Sequence, residues 1–215
     1  MSLVVLKVGG ASLARAAVGD EPTVVVHGAG PQISAEMERS GLQPRFVAGR
    51  RVTTPAVLEI VRESFAETNA ELCAALGPRA VSMFGDEIGL VARRVPELGL
   101  VGEPRPCAPA AIVDALAAGL VPVVAPLAAG PLNVNADEAA AALAVGLGAE
   151  RLLFLTDVQG VFHGGELLKT VEADRAEALV GEGSFEGGIV PKLLAAARAA
   201  RGGLVAEIGI TEVVA

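Results

Sequence analysis

Residues 132–138 read LNVNADE and lead directly into the apolar run AAAALAVGLG at 139–148. This pattern predicts an extended segment that turns into a helix, with Asn135 as the cap and Asp137 in the first turn. Alternation along the extended segment places Asn133 and Asn135 on one side, so two amides and one carboxylate converge at the helix mouth. Ordinary capping is the competing explanation for Asp137. The placement of two lysines elsewhere in the chain bears on that choice.

Short apolar runs on both sides of this stretch predict strands that are buried on both faces of a parallel sheet. The predicted strands are 3–8, 23–27, 120–127 and 151–155, with further strands over 79–93 and 204–214. The predicted helices are 11–18, 32–39, 55–76, 109–118, 171–181 and one that runs from Pro191 at its first position to about 201. This alternation predicts one α/β domain over 1–215, layered as an α/β/α sandwich, with an approximate division near residue 129.

Composition limits the function classes that the chain can have. Of its 215 residues 52% are hydrophobic, yet charge, Gly or Pro interrupts every apolar run before it reaches membrane-spanning length. Its start, MSLVVLKVGG, lacks the pattern of a secretory signal. Cys73 and Cys107 make neither a disulfide framework nor a metal-ligand pattern, so we expect a cytoplasmic protein. The net charge of −8, without a basic run, argues against a nucleic-acid partner, and the interrupted apolar runs argue against a membrane.

Two lysines stand at unusual positions. Lys7 lies inside the first buried strand, where a lysine either extends its ammonium to water or meets an anion. Lys192 follows Pro191, which is expected at the first position of a helix. A cation in the first turn opposes the helix dipole at a cost of about 0.3–1 kcal/mol. An anion bound at the helix mouth would remove that cost.

Small-residue turns follow the first two predicted strands. Gly9 and Gly10 end the first, and Gly28, Ala29 and Gly30 end the second. Such turns point backbone N–H groups at an anion, although any parallel α/β fold also contains turns that bind nothing. His27, just before the second turn, is more simply explained as a core histidine than as a catalytic one.

A hairpin predicted over 44–54, turning at Gly49, carries two adjacent arginines on opposite faces. The fork of either Arg50 or Arg51 suits a substrate carboxylate, and a solvated surface charge is the alternative.

Together these residues match the needs of phosphoryl transfer, which requires positive charge and N–H donors around the moving group. Lys7 and Lys192 could supply the charge, the N–H groups of Gly10, Ala29 and Gly30 could bind phosphate oxygens, and Asp137 could hold both ammonium groups. No P-loop or protein-kinase signature is present.

Six motifs occur in an order that resembles the amino acid kinase family, and within it the acetylglutamate kinases. They are KVGG at 7–10, VHGAGP at 26–31, GRRVT at 49–53, NVNAD at 133–137, LTDVQGV at 155–161 and GGIVPK at 187–192. The resemblance implies a mostly parallel sheet of about eight strands between helix layers. It also implies ATP-dependent phosphorylation of the side-chain carboxylate of N-acetyl-L-glutamate, the second step of arginine biosynthesis, with Mg²⁺ bridging the ATP phosphates.

The resemblance also assigns roles to residues. It implies that Lys7, Lys192 and Asp137 are catalytic. It implies a substrate-binding set of Gly28, Ala29, Gly30, Arg51, Asn133 and Asn135. It implies a nucleotide-binding set of Gly9, Gly10, Thr156, Asp157, Val158, Gly160, Val161, Gly187 and Gly188.

The chain departs from the family pattern at several places. Ala29 stands where three glycines are usual, so its methyl could crowd the substrate. The first crossover is short, and the C-terminal strand pair with its glycine-threonine turn is expected to be largely missing. Because the first strand starts at residue 3, we expect a homodimer without arginine feedback. Two alternative functions remain: a sister kinase for carrier-linked aminoadipate or glutamate, and a non-catalytic ligand-binding relative.

Overall fold

The computed structural model describes residues 2–9 and 18–215, so Gly10 and nearly all of the helix predicted over 11–18 lie outside the described residues. The strands are β1 (Val4–Val8), β2 (Thr23–His27), β3 (Phe46–Val47), β4 (Arg50–Arg51), β5 (Ala80–Phe84), β6 (Ala92–Arg94), β7 (Val101–Pro104), β8 (Val121–Ala125), β9 (Leu127–Ala128), β10 (Leu132–Val134), β11 (Arg151–Phe154), β12 (Val161–His163), β13 (Glu166–Leu168), β14 (Thr170–Glu172), β15 (Val205–Ile208) and β16 (Thr211–Val214). The α-helices are α1 (Gly30–Arg39), α2 (Pro55–Leu76), α3 (Ala110–Ala117), α4 (Ala136–Leu147), α5 (Ala173–Gly181) and α6 (Ile189–Arg201).

An eight-stranded sheet forms the centre of the fold. Its strand order is β14-β16-β15-β11-β1-β2-β8-β5, and every neighbouring pair is parallel except β15 with β16. The sequence prediction of a mostly parallel sheet with about eight strands is therefore confirmed. All residues of β1, β2 and β8 are buried, as expected for strands covered on both faces.

Alternation along the central strands separates two hydrophobic layers. Val5 packs in a cluster with residues of α3, α4, α5 and α6, whereas Leu6 and Val8 pack in a cluster with Leu72 of α2. Helices therefore cover both faces, which confirms the three-layer α/β/α architecture. Because Lys7 shares the face of Val5, this alternation aims the Lys7 side chain at α4.

Three smaller sheets stand beside the central one. β6-β7-β10-β9 form a four-stranded sheet, β12 pairs with β13, and β3 pairs with β4 in the predicted hairpin. β10 runs directly into α4, as the LNVNADE stretch predicts. We call residues 46–51, which form the hairpin of β3 and β4, the ribbon.

The structure corrects three details of the sequence prediction. Helix α5 starts at Ala173, because Thr170–Glu172 pair with β16 as an edge strand instead. Helix α6 starts at Ile189, so Pro191 and Lys192 are its third and fourth residues rather than its first and second. The expectation that the C-terminal strand pair is largely missing is wrong, because β15 and β16 form an antiparallel pair joined at Gly209 and Ile210.

Helix α2 is 22 residues long and follows its predicted bounds. Thr54 caps it by accepting a hydrogen bond from the Val57 N–H, and Pro55 occupies the first position. Within 2–9 and 18–215, the helices all lack the combination of length and apolar composition that a membrane span requires.

Candidate active site

Lys7 is buried and meets an anion rather than reaching water. Its Nζ lies 2.7 Å from Oδ1 of Asp137, and the two side chains are 8% and 7% exposed. A Cβ built on Gly9 would lie 2.9 Å from the Lys7 Nζ, so glycine at this position leaves room for the ammonium group. Of the two sequence explanations for Lys7, contact with an anion is the one that the structure supports.

Asp137 is presented to Lys7 by the start of α4. Asn135 caps this helix: its Oδ1 accepts hydrogen bonds from the N–H groups of Asp137 at 2.8 Å and Glu138 at 3.2 Å. Since Asn135 performs the capping, the carboxylate of Asp137 is available for ion pairs. The structure therefore favours a charge-organising position for Asp137 over ordinary capping.

Lys192 approaches the same carboxylate from α6. Its Nζ lies 3.7 Å from Oδ2 of Asp137 and 3.4 Å from the carbonyl oxygen of Gly188. Burial lowers the pKa of Lys192 below its usual value, and repulsion by Lys7 lowers it further, while Asp137 partly opposes both effects. Two ammonium groups thus share one buried carboxylate, and this excess of positive charge attracts an anion.

A cavity of about 180 Å³ opens on one side of the Lys7–Asp137 pair, and we call it the acceptor cavity. It brings together all six residues that the sequence analysis predicted to bind substrate. They are Gly28, Ala29, Gly30, Arg51, Asn133 and Asn135. Ala29 is only 1% exposed and packs with Ile33 and Met37, so its methyl group does not fill the cavity.

Arg51 is fixed in the wall of this cavity without a carboxylate partner among residues 2–9 and 18–215. Its Nη2 donates to the carbonyl oxygen of Gly30 at 3.0 Å and to Oγ of Ser34 at 2.9 Å. Its guanidinium lies 4.6 Å from the ring centroid of Phe46. Arg51 is 6% exposed, and burial lowers its pKa from the usual value. A buried cation in this state is suited to an incoming anion.

The two asparagines hold the cavity walls together. Asn133 donates from Nδ2 to Oγ1 of Thr53 at 2.9 Å, and that hydroxyl donates to the carbonyl oxygen of Arg51 at 2.8 Å. Asn135 donates from Nδ2 to the carbonyl oxygen of Gly49 at 2.9 Å. Sequence reasoning missed Ser34, Phe46 and Thr53, although Thr53 is part of the GRRVT motif.

A second, larger opening of about 450 Å³ lies on the other side of Lys7, and we call it the nucleotide cleft. Lys7, Gly28 and Gly30 line both openings, whereas Lys192 lines only the cleft. Four of the residues predicted for nucleotide binding contribute to its walls. They are Gly9, Thr156, Asp157 and Gly188.

The other predicted nucleotide residues do not line the cleft in this structure. Gly160 and Val161 are buried, and the N–H of Val161 donates to Oγ1 of Thr211 at 2.8 Å. Val158 is 45% exposed, and Gly187 is an exposed turn residue before α6. Gly10 is outside the described residues.

Thr211, which sequence reasoning did not select, braces the loop between β11 and β12. Besides accepting from Val161, its Oγ1 donates to the carbonyl oxygen of Leu168 at 2.6 Å, and the residue is fully buried. A Cβ on Gly160 would lie 2.7 Å from that Oγ1, so only glycine allows this close packing. The C-terminal strand pair therefore positions the loop that begins at Thr156.

His27 is a core residue, as expected from the sequence. It is fully buried, its Nε2 lies 3.1 Å from Nδ2 of Asn69, and its ring meets that of Phe65 edge-on. Burial, and secondarily the charge of Lys7, lowers the pKa of His27 to about 4. The imidazole is therefore neutral at physiological pH.

Comparison with known proteins agrees with this geometry. Residues 2–209 match the amino acid kinase family. The chain belongs to the amino acid kinase family. An acetylglutamate kinase of Rubrobacter xylanophilus is 43% identical over 225 residues, which cover 97% of this chain and 88% of the relative.

An acetylglutamate kinase of Saccharopolyspora erythraea is also 43% identical, over 202 residues that cover 84% of this chain. The chain spans only 66% of that relative's length. Among solved structures, smu.665 from Streptococcus mutans UA159 has a TM-score of 0.88 at 24% identity, covering 99% of this chain and 98% of the other, which supports the fold. The two acetylglutamate kinase relatives support a kinase activity for this family member.

Proposed function

We propose that this protein transfers the terminal phosphoryl group of ATP to the side-chain carboxylate of N-acetyl-L-glutamate, the second step of arginine biosynthesis. The observation that carries the proposal is the pairing of two ammonium groups, buried Lys7 and half-buried Lys192, on one buried carboxylate between two openings. The approximate division into an acceptor side before residue 129 and a nucleotide side after it belongs to this proposal.

The acceptor cavity supports a small dicarboxylate with one free and one reacting carboxylate. Arg51 would hold the free carboxylate through its remaining N–H donors. The reacting carboxylate would then point toward Lys7, which lines the same cavity. The N–H groups of Ala29 and Gly30 would donate to further oxygens of the acceptor or of the moving group, whereas that of Gly28 donates to the carbonyl oxygen of Val8.

The nucleotide cleft supports binding of the ATP phosphates next to Lys192 and Gly188. Lys7 and Lys192 would approach the transferred phosphoryl group from opposite sides, and Asp137 would keep both ammonium groups in place. The described residues contain no cluster of three or more side chains suited to hold a metal ion. A Mg²⁺ ion bound with ATP would neutralise phosphate charge, and the ATP phosphates would supply oxygen ligands for it.

An ADP-release assay with N-acetyl-L-glutamate, L-glutamate, L-aspartate and L-2-aminoadipate tests this proposal. We expect turnover with N-acetyl-L-glutamate to exceed that with the three free amino acids, and Asp137→Asn to abolish it. Absence of ADP release with every acceptor, in protein that is folded and binds ATP, would contradict the proposal.

One observation favours a second acceptor class, a carrier-linked acidic amino acid. Three arginines contact two glutamates beside the acceptor cavity and a fourth lines an opening together with two of them, a local excess of two positive charges on a protein of net charge −8. They are Arg50, Arg93, Arg105 and Arg198 with Glu103 and Glu138. The members of this cluster are far apart along the chain, so no basic run in the sequence marks it. Turnover only with a carrier-linked acceptor would establish this alternative.

A further inference from the structure

Arg50, the neighbour of Arg51 on the ribbon, contacts carboxylates that the proposed chemistry does not use. Its Nε lies 3.1 Å from both carboxylate oxygens of Glu138, and its Nη2 lies 3.0 Å from Glu138 Oε1 and 3.3 Å from Glu103 Oε1. The side chains of Arg50 and Glu138 are 16% and 12% exposed. Glu138 follows Asp137 at the start of α4, so the ribbon is tied to the helix that organises both lysines.

Helix α6 reaches the same two carboxylates. Nη1 of Arg198 lies 3.6 Å from Glu138 Oε1, and its Nη2 lies 4.0 Å from Glu103 Oε1. Arg198 stands on the helix that carries Lys192. We call the four residues Arg50, Glu103, Glu138 and Arg198 the latch.

Direct contacts at the ribbon tip reinforce this connection. A Cβ built on Gly49 would lie 3.2 Å from Cβ of Pro191, which immediately precedes Lys192. The carbonyl oxygen of Gly49 accepts the hydrogen bond from Asn135 that was described above. The ribbon therefore rests against the first turn of α6 and the cap of α4.

We propose that the latch couples the two openings, so that acceptor bound on Arg51 and nucleotide bound beside Lys192 each strengthen the binding of the other. Arg50 lines the edge of the acceptor cavity, but its polar contacts are with the two glutamates, so we treat it as a positioning residue that acts through Glu138 and Arg198. The inference rests on the proposed function for the identity of the acceptor.

The physical reason is the burial of the ion pairs. If the ribbon lifted away, Glu138 would remain buried without its main partner, which is strongly unfavourable. The ribbon and α6 therefore move together. An acceptor bound to Arg51 holds the ribbon in place, and through the latch it also holds the start of α6 with Lys192. Such coupling is reciprocal and typically about 5- to 150-fold in affinity.

Calorimetry of N-acetyl-L-glutamate binding, with and without a non-hydrolysable ATP analogue, tests the coupling. In the unmodified protein we expect the analogue to lower the acceptor Kd by about 5-fold or more. In Arg50→Met the ratio of the two Kd values should fall to about one, because the ribbon is released from Glu138.

Arg45→Met is the matched control, since Arg45 is exposed and lies next to the ribbon. A merely structural role for Arg50 would weaken the fold or both ligands equally, and would leave the ratio unchanged. The proposal is overturned if Arg50→Met keeps the ratio of the unmodified protein, if Arg45→Met loses it as well, or if the unmodified protein shows no coupling.

Hydrogen exchange in the ligand-free protein separates this proposal from the choice of acceptor. The N–H of Val52 donates to the carbonyl oxygen of Arg45 at 2.9 Å and reports on opening of the ribbon. Arg198→Met, although it is a change on α6, should accelerate exchange of this amide. Arg201→Met should not, because Arg201 on the same helix pairs with Asp174 and Glu177 of α5.

If Arg198→Met leaves the exchange rate of the Val52 amide unchanged, the latch proposal is overturned, whichever acceptor the protein uses. Conversely, absence of N-acetyl-L-glutamate binding to the unmodified protein, together with faster exchange in Arg198→Met, would remove the proposed acceptor and keep the latch.

Discussion

The acceptor cavity and the nucleotide cleft share Lys7, Gly28 and Gly30 but are built differently. The cavity, of about 180 Å³, is walled by buried side chains that hydrogen-bond one another, such as Asn133 with Thr53. The cleft, of about 450 Å³, is walled largely by backbone turns, and Asp157 and Gly188 in it are exposed. One opening is therefore formed by fixed side chains and the other by loops.

This difference matches what the proposed function requires of each side. A small acceptor offers few atoms, so its carboxylates must be recognised by donors whose positions are fixed in advance. A nucleotide offers many phosphate oxygens, and the N–H groups of turns and helix starts suit these without dedicated side chains. We therefore expect a change of Lys7, which lines both openings, to affect the use of both substrates. A change in the wall of one opening should affect the binding of one substrate only.

Replacing the shared lysine should have the largest effect. Lys7→Ala removes a preorganised charge beside the transferred group, and we expect kcat to fall by about 100- to 1,000-fold. The measurement is the steady-state rate of ADP release at saturating substrates. Lys169→Ala is the matched control, because Lys169 is exposed and lines neither opening, and it should leave kcat unchanged. A kcat of Lys7→Ala within a few-fold of the unmodified protein would contradict the shared role.

The buried histidine behind the acceptor cavity should make that side sensitive to acid. The pKa of His27 is about 4 when folded and 6.5 in its ordinary state, so the unfolded chain binds a proton first as the pH falls. The stabilisation is complete above pH 6.5 and is lost as the pH falls toward 4. It amounts to about 3 kcal/mol of unfolding free energy.

Urea unfolding at several pH values measures this contribution. His27→Gln should flatten the dependence between pH 6.5 and 4, whereas His163→Gln, at the chain's other histidine, should not. An unchanged slope in His27→Gln would show that His27 does not cause the acid sensitivity.

Changing the acceptor wall should affect one substrate only. Arg51→Met removes the proposed carboxylate donor, so the acceptor KM should rise about 10- to 100-fold while the KM for ATP stays within about two-fold. The free energy of unfolding should not decrease, because a buried cation without a carboxylate partner is lost. Equal increases in both KM values would contradict the separation of the two walls.

Changing the support of the nucleotide wall should have the smallest effect. Thr211→Val removes both hydrogen bonds of the hydroxyl that hold the loop after β11, and we expect the KM for ATP to rise about 2- to 10-fold. Thr23→Val is the control, since the Thr23 hydroxyl donates to the carbonyl oxygen of Glu21 within its own segment. A rise in the acceptor KM, with the KM for ATP unchanged, would show that Thr211 supports the acceptor cavity rather than the nucleotide cleft.

The fold and the acceptor wall were more predictable from sequence than the cleft was. Apolar runs and capping residues give β1, β2, α2 and α4 nearly complete, because burial and capping are local signals. The predicted acceptor residues are gathered in one cavity because each stands at, or one residue from, the end of a strand or helix. Gly160 and Val161 belong to a recognisable motif, but the sequence contains no signal that separates residues lining the cleft from residues that support it.

Long-range pairs were the main omission. Arg50 and Glu138 are 88 positions apart, and no periodicity relates them. The contacts of Arg198 with Glu103 and Glu138 could not be predicted for the same reason, although Arg198 lies on the same helix as Lys192. The partnership of Thr211 with Val161 depends on a strand order that sequence patterns did not give.

The most direct test is a crystal structure with N-acetyl-L-glutamate and a non-hydrolysable ATP analogue. The measurement is the distance from Nζ of Lys7 and from Nζ of Lys192 to the nearest oxygen of the terminal phosphate. We predict that both are at charge-assisted hydrogen-bond distance, about 2.7–3.2 Å, with Asp137 still in contact with each ammonium group. A bound terminal phosphate that either ammonium fails to approach within about 5 Å would contradict the proposed mechanism.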